Sequence, residues 1–131
     1  MQLSIPVAPG ELLDKITILE IKTERMNDPV KLANVRRELN LLDAVWRQAG
    51  IEDEQVSRLR SELKRVNEAL WQIEDDIRDE ERAGRFEDRF IELARLVYVT
   101  NDKRADIKKR INLALGSEIV EEKSYRDYRS S

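Results

Sequence analysis

The fold is decided by residues 56–77, which read VSRLRSELKRVNEALWQIEDDI. Apolar side chains recur in this stretch in alternating steps of three and four residues, which places them on one side of an α-helix. They are Val56, Leu59, Leu63, Val66, Leu70, Ile73 and Ile77. A pattern sustained over about three heptads predicts a long helix whose apolar side packs against other helices.

The composition of the whole chain agrees with a helical protein. Of its 131 residues, 40% are hydrophobic and 39% are charged, with only four Gly and three Pro, so we expect one all-α domain. The net charge of −3 argues against a nucleic-acid partner that requires a basic face. The chain has neither Cys nor His, which excludes thiol nucleophiles, imidazole catalysis and Cys/His zinc sites.

Proline and glycine divide the chain into segments. Pro9 suits the first turn of a helix, Asp28-Pro29 combines a good N-cap with a good first helical residue, and Gly50, Gly84 and Gly116 each end an apolar pattern. We therefore predict an extended lead-in over residues 1–8, helices over 9–26, 28–49, 52–83 and 86–115, and a tail over 117–131.

Three smaller predictions concern the packing of these segments. Leu3, Ile5 and Val7 alternate with polar residues, so we expect the lead-in to pack on the bundle, with an edge strand that pairs with a second subunit as the alternative. The second helix presents one apolar face, formed by Leu32, Val35, Leu39, Leu42, Val45 and Trp46. The tail has room for one helical turn around residues 119–120.

The third and fourth helices are long for a chain of this size. At 1.5 Å per residue they span about 48 and 45 Å, whereas a compact globule of this length has a radius of gyration of roughly 14 Å. The short turn at Gly84 predicts an antiparallel hairpin, covered by the first two helices. Since its ends would overhang a single copy, we predict a homodimer.

Polar residues interrupt the apolar stripe of the fourth helix. Thr100 and Arg104 occupy two consecutive positions of that stripe, and the predicted hairpin places them opposite residues 65–69, which include Asn67. One interpretation is a satisfied polar layer that fixes the register of the helices. A second is a bend in the helix that leaves Arg104 in solvent. The third is a site for an anion or a polar metabolite, since a guanidinium binds carboxylate or phosphate in a fork. That site would be lined by Lys15, Glu20, Thr100, Asn101 and Arg104.

Pairs of acidic residues three positions apart suggest one further alternative. Such pairs share a helix face and resemble the Mg²⁺ ligands of all-helical nucleotide pyrophosphohydrolases. They are Glu11 and Asp14, Asp76 and Asp79, and Glu118 and Glu121. Because 27 acidic residues produce such pairs by chance, a solvated acidic surface explains them more simply. We therefore predict no metal ion and no cofactor.

Several phrases of the sequence occur together in one known family. They are PGELLDKITILEIK at residues 9–22, DPVKLANVRREL at residues 28–39, Thr100-Asn101-Asp102 with Arg104, and EEKSY at residues 121–125. In these phrases the chain resembles a family of short bacterial proteins of unknown function, over roughly residues 5–125. The family has Ser where this chain has Ala8, so the resemblance implies a weaker N-cap for the first helix here.

These observations favour a non-catalytic interaction or scaffold protein that acts as a homo-oligomer. The alternatives are a protein or enzyme that binds a small anionic metabolite at the polar layer, and the Mg²⁺-dependent hydrolase. No catalytic residue is identified, and an enzyme is the less favoured expectation. A protein partner besides the second copy is compatible with this prediction. The first residues lack the pattern of a signal peptide and no apolar run is long enough to span a membrane, so we expect a cytoplasmic location.

Overall fold

Four helices make up the computed structural model, which describes residues 1–129. They are α1 (Pro9–Arg25), α2 (Pro29–Ala49), α3 (Glu54–Ala83) and α4 (Asp88–Ala114). No strand occurs within this range, so the predicted all-helical fold is confirmed. In the same part of the chain, no helix combines the length and apolarity needed to cross a membrane.

Local capping sets where two of the helices begin. The Asp28 carboxylate accepts a hydrogen bond from the backbone N–H of Val30 at 2.9 Å, which confirms its predicted role as an N-cap. The Asp53 carboxylate caps α3 in the same way through the N–H of Val56, at 2.8 Å. Gly84 ends α3 with a φ of +68°, a left-handed conformation that glycine adopts without strain.

The central element of the fold is α1. It packs against α2, α3 and α4, and Leu13, Ile16 and Ile21 on it are almost fully buried. The main apolar cluster forms around it and includes Leu12, Leu13, Ile16, Trp46, Val56, Leu59, Leu63, Ile107 and Ile111. The short first helix, covered on several sides, therefore organises the core.

The long apolar side of α3 is buried unevenly. Val56, Leu59 and Leu63 belong to the central cluster, whereas Leu70 and Ile77 are only half-buried. Val66 is half-buried as well, while Ile73 is buried although it follows the point where α1 ends, at Arg25, whose Nη1 donates to Oε1 of Gln72 at 3.3 Å. Beyond Gln72, the described hydrogen bonds and ion pairs of α3 remain within that helix or reach residues from Arg85 onward.

Three packing predictions are wrong. The lead-in does not pack on the bundle, because Leu3 and Ile5 are 83% and 75% exposed. Val45 lies outside the buried face of α2, which is centred on Val35 and Trp46 and is set by contact with α1. The tail forms no helical turn around residues 119–120, and the last two residues of the predicted tail lie outside the described part of the chain.

Candidate functional site

A layer of polar side chains crosses the helical core where α1, α3 and α4 meet. Asp14 and Thr17 come from the same side of α1, Asn67 comes from α3, and Arg104 comes from α4. Asp14 is only 1% exposed, and Thr17 and Asn67 are also buried. We call these four residues the polar layer.

Arg104 grips the Asp14 carboxylate through both of its oxygens. Its Nε donates to Oδ1 at 2.9 Å and its Nη2 donates to Oδ2, which is the bidentate geometry expected of a guanidinium and a carboxylate. Asn67 Nδ2 donates to the same Oδ1 at 3.0 Å and to Oγ1 of Thr17 at 3.1 Å. The Thr17 hydroxyl in turn donates to the backbone carbonyl of Asp14 at 3.0 Å. Each helix of the layer is thus tied to the buried carboxylate.

The electrostatics of the layer favour its charged form. Burial by itself would raise the pKa of the Asp14 carboxyl, but hydrogen bonds from Arg104 and Asn67 and the charges of Arg104 and Lys108 outweigh it, so that pKa lies below its usual value. The hydrogen bond to Asp14 raises the pKa of Arg104 further above its already high value. Asp14 and Arg104 therefore form an ion pair at neutral pH, in which the carboxylate is buried and the guanidinium is 29% exposed.

Lys108, one turn beyond Arg104 on α4, extends this charged group towards the surface. Its Nζ lies 2.6 Å from a carboxylate oxygen of Glu11, 3.9 Å from Oδ2 of Asp14 and 3.3 Å from a carboxylate oxygen of Glu121 in the tail. Burial would lower the pKa of the Lys108 ammonium, but these acidic neighbours raise it instead. The core layer is thus connected to the C-terminal tail through one lysine.

The start of α1 is held on α4 by a close backbone approach. Ala8 gives α1 no side-chain cap, and the backbone N–H of Gly10 donates instead to Oδ1 of the buried Asn112 at 2.7 Å. A Cβ on residue 10 would lie 2.5 Å from the carbonyl oxygen of Lys108, so only glycine fits there. A side chain of α4 therefore satisfies one of the N–H groups that the weak cap leaves without a partner.

The structure gathers only part of the predicted ligand set. Thr100 is buried one turn before Arg104 on α4, and Asn101 is half-buried, with its Oδ1 accepting a hydrogen bond from Arg104 at 3.4 Å. Lys15 is exposed, on a different face of α1 from Asp14. Glu20 lies 3.7 Å from the guanidinium of Arg60 on α3. Lys15 and Glu20 therefore do not line the space around Arg104.

The sequence predicts that Asn67 lies near Arg104 but does not identify Asp14, the partner that joins them. In the sequence Asp14 stands out only as half of an acidic pair with Glu11. A signal for its role exists in the first helix, where Gly10, Asp14, Thr17 and Ile21 follow one another in steps of four, three and four residues. That second stripe mixes polar and apolar residues, and all four of its members are buried.

The buried polar side chains of this site all take part in hydrogen bonds. Within residues 1–129, every buried side-chain nitrogen or oxygen has a hydrogen-bond partner. The fork of Arg104 is occupied by Asp14, so an external anion would have to displace a buried carboxylate. In the described range, no three acidic side chains converge closely enough to hold a metal ion. The geometry corresponds to that of a polar layer which fixes the register of three helices.

Comparisons with known proteins place the chain in a family. A search among curated proteins and among solved structures gave no match. The sequence does match, over residues 1–131, the family of unknown function DUF6165, and the chain belongs to that family.

Proposed function

We propose that the protein is a non-catalytic helical scaffold, folded as one domain over residues 1–131, which acts as a homodimer. The dimer would form through the end of an antiparallel hairpin made by α3 and α4. We define the tip as residues 73–93, which include the end of α3, the turn at Gly84 and the beginning of α4.

The hairpin is supported by ion pairs between its two helices. Arg110 lies 3.3 Å from Glu62, and Arg89 lies 3.6 Å from Asp76, so residues later in α4 meet residues earlier in α3. Since α1 ends at Arg25 beside Gln72, α3 continues for about 16 Å past this contact. The tip therefore projects from the part of the molecule that α1 covers.

The observation that carries the proposal is apolar surface on this tip. Phe86 and Ile91 are 54% and 53% exposed. The ring centroid of Phe90 lies 5.2 Å from that of Phe86, and Phe90 and Ile77 are each half-buried. Two helices that bury one side against each other leave their other apolar residues in water. Two tips related by a two-fold axis would bury these residues in a four-helix bundle.

Two double variants with the same change in charge test the proposal by light scattering at micromolar concentration. The wild type is expected at twice the chain mass, and Phe86→Glu/Ile91→Glu at the mass of one chain. The control is Leu41→Glu/Val45→Glu on α2, where the two side chains are 50% and 53% exposed, and it is expected to leave the dimer intact. A monomeric wild type, or a control variant that is monomeric while the tip variant is dimeric, would contradict the proposal.

The metabolite alternative stays a prediction for which the site offers no vacant anchor. Arg104 is the natural ligand for an anion, but both of its forked donors already bind Asp14. The hydrolase alternative likewise stays a prediction that the placement of the described acidic side chains does not support. A bacterial origin and a cytoplasmic location are also still predictions.

A further inference from the structure

The C-terminal tail lies along α4, beside a space that α3 and α4 line together, and few contacts hold it there. A carboxylate oxygen of Glu121 lies 3.3 Å from Nζ of Lys108, and one of Glu122 lies 3.3 Å from Nζ of Lys109. Seven residues after Glu121, the ring of Tyr128 packs edge-on against Tyr98, with a distance of 5.3 Å between the ring centroids. The tail therefore meets α4 at two points, an acidic one and an aromatic one.

These two points are spaced to fit an extended segment. Lys109 and Tyr98 are eleven residues apart on α4, or about 16 Å along the helix axis. The seven residues from Glu122 to Tyr128 are joined by six steps, which span about 20 Å when the segment is extended. An extended peptide with an acidic pair at one end and an aromatic ring six or seven residues later thus reaches both points.

The surface between the two points suits such a peptide. Its lining on α3 and α4 includes the apolar side chains of Val66, Ala69 and Ile107. The charged side chains around it are mixed, with four basic ones, Arg65, Lys103, Lys109 and Arg110, and three acidic ones, Glu62, Asp102 and Asp106. Arg110 lies near Glu62 and Asp106, so the cations that contact the acidic pair of the tail are Lys108, beside Glu121, and Lys109, beside Glu122. We call this face of α3 and α4 the tail surface.

The tail itself is bound weakly. The Lys109–Glu122 pair is exposed on both sides, and such a pair contributes about 0–1 kcal/mol. In the other pair Lys108 is only 13% exposed, but its Nζ lies closer to Glu11 than to Glu121. Tyr125, between the two contact points, is 83% exposed, and residues 117–129 form neither helix nor strand. Tethering nevertheless gives the tail a millimolar effective concentration at this surface, so weak contacts keep it in place until a competitor arrives.

We propose that the tail surface binds an extended segment of another protein, which carries two adjacent acidic residues followed six or seven residues later by an aromatic residue. The tail covers the same surface and competes with that segment for it. The acidic pair and the tyrosine of the tail indicate which side chains the surface accepts. This inference goes beyond the proposed self-association and involves different residues, since the tip residues 73–93 do not line the tail surface.

The test uses the full chain and a fluorescent peptide with the sequence of residues 117–129. One variant, Glu121→Ala/Glu122→Ala/Tyr128→Ala, weakens the tail in the chain. In the wild type the tail covers the tail surface most of the time, which lowers the apparent affinity for the added peptide in proportion to the vacant fraction. The weakened-tail variant is therefore expected to bind the peptide about tenfold more tightly than the wild type does. Fluorescence anisotropy measures the binding, and circular dichroism checks that each variant is folded.

Two further variants in the weakened-tail background locate the site. Adding Lys109→Glu is expected to weaken peptide binding at least tenfold, whereas adding Lys31→Glu, a matched change on the exposed side of α2, is expected to leave it unchanged. A peptide in which the tyrosine at position 128 is moved next to the acidic pair is expected to bind less tightly. Equal affinity for the wild type and the weakened-tail variant, or no effect of Lys109→Glu, would overturn the inference.

Light scattering on the same variants separates this inference from the proposed dimer. If weakening the tail converts a dimer into a monomer, the tails are exchanged between copies, and the inference of a foreign partner is wrong. If the mass stays that of a dimer and no peptide binds, only the inference fails. A monomer that binds the peptide as expected would reject the dimer and leave the inference standing.

Discussion

At the scale of single residues, the pairing of Asp14 with Arg104 has the largest expected effect on stability. The carboxylate is 1% exposed, so removing the guanidinium leaves a buried negative charge whose nearest remaining cation, Lys108, is 3.9 Å away. Breaking a buried pair from one side typically costs about 3–5 kcal/mol, whereas replacing both partners by apolar residues is often nearly neutral. The two kinds of variant therefore distinguish a structural layer from an anion site.

We predict that Arg104→Leu lowers the free energy of unfolding by about 3 kcal/mol or more, and that Asp14→Leu/Arg104→Leu restores at least half of that loss. Urea unfolding followed by circular dichroism measures both. Arg110→Leu is the matched control, because its ion pair with Glu62 is exposed and its loss should cost less than about 1 kcal/mol. An Arg104→Leu protein that is more stable than the wild type would instead support an anion site.

The depressed pKa of the Asp14 carboxyl makes a second prediction, about pH. Because the folded state binds a proton on this group less readily than the unfolded state, whose pKa is close to 3.8, the group stabilises the fold above that pH. This stabilisation is lost as the pH falls through the lower, folded pKa. Between pH 5 and 7 we expect the free energy of unfolding of the wild type to exceed that of Asp14→Asn by about 1.5–3 kcal/mol. This difference is expected to shrink below about pH 4.

Unfolding in urea at pH 7, 5, 3.5 and 2.5 checks this behaviour. Asp102→Asn, at an exposed position on α4, corrects for the loss of one negative charge. A difference between wild type and Asp14→Asn that stays constant down to pH 2.5, or grows in acid, would show that the carboxylate is not stabilised by its partners in the fold.

At the scale of helices and segments, the sequence indicates where a helix begins and ends, but not which side of the helix is buried. Asp28-Pro29 and Gly84 act through their own backbone and side chains, so the start of α2 and the end of α3 follow from a few adjacent residues. Val45 follows the same periodicity as the residues around it, yet it is exposed because α1 alone sets which side of α2 is covered. Periodicity indicates which residues share a helix face, but not which helix packs against that face.

The polar layer shows the same division between local and long-range information. Arg104 and Thr100 stand out in the sequence because they interrupt an apolar stripe, and Asn67 lies opposite them in the hairpin that the short turn at Gly84 predicts. Asp14 lies 90 residues from Arg104 in the chain, and the spacing of α1 did not indicate which helix would meet it. An acidic residue that shares a helix face with Gly10 and Thr17 indicates a buried carboxylate. A buried carboxylate needs a cation, which here comes from a distant part of the chain.

At the scale of the whole molecule, the charge of the tip opposes the association that its apolar residues favour. Residues 73–93 contain nine acidic and four basic side chains, so two tips that meet bring together like charges. Salt screens this repulsion, since the Debye length falls from about 10 Å at 0.1 M to about 3 Å at 1 M. We therefore predict that the dissociation constant of the dimer falls about three- to tenfold between 0.1 and 1 M NaCl.

Sedimentation equilibrium at the two salt concentrations measures the constant directly. Neutralising two exposed acids of the tip in Asp75→Asn/Asp79→Asn should strengthen the dimer at 0.1 M NaCl and reduce its dependence on salt, because less repulsion is left to screen. Dimerisation that weakens as salt is added would mean that ion pairs hold the two copies together. In that case Phe86 and Ile91 would not be the residues that drive association.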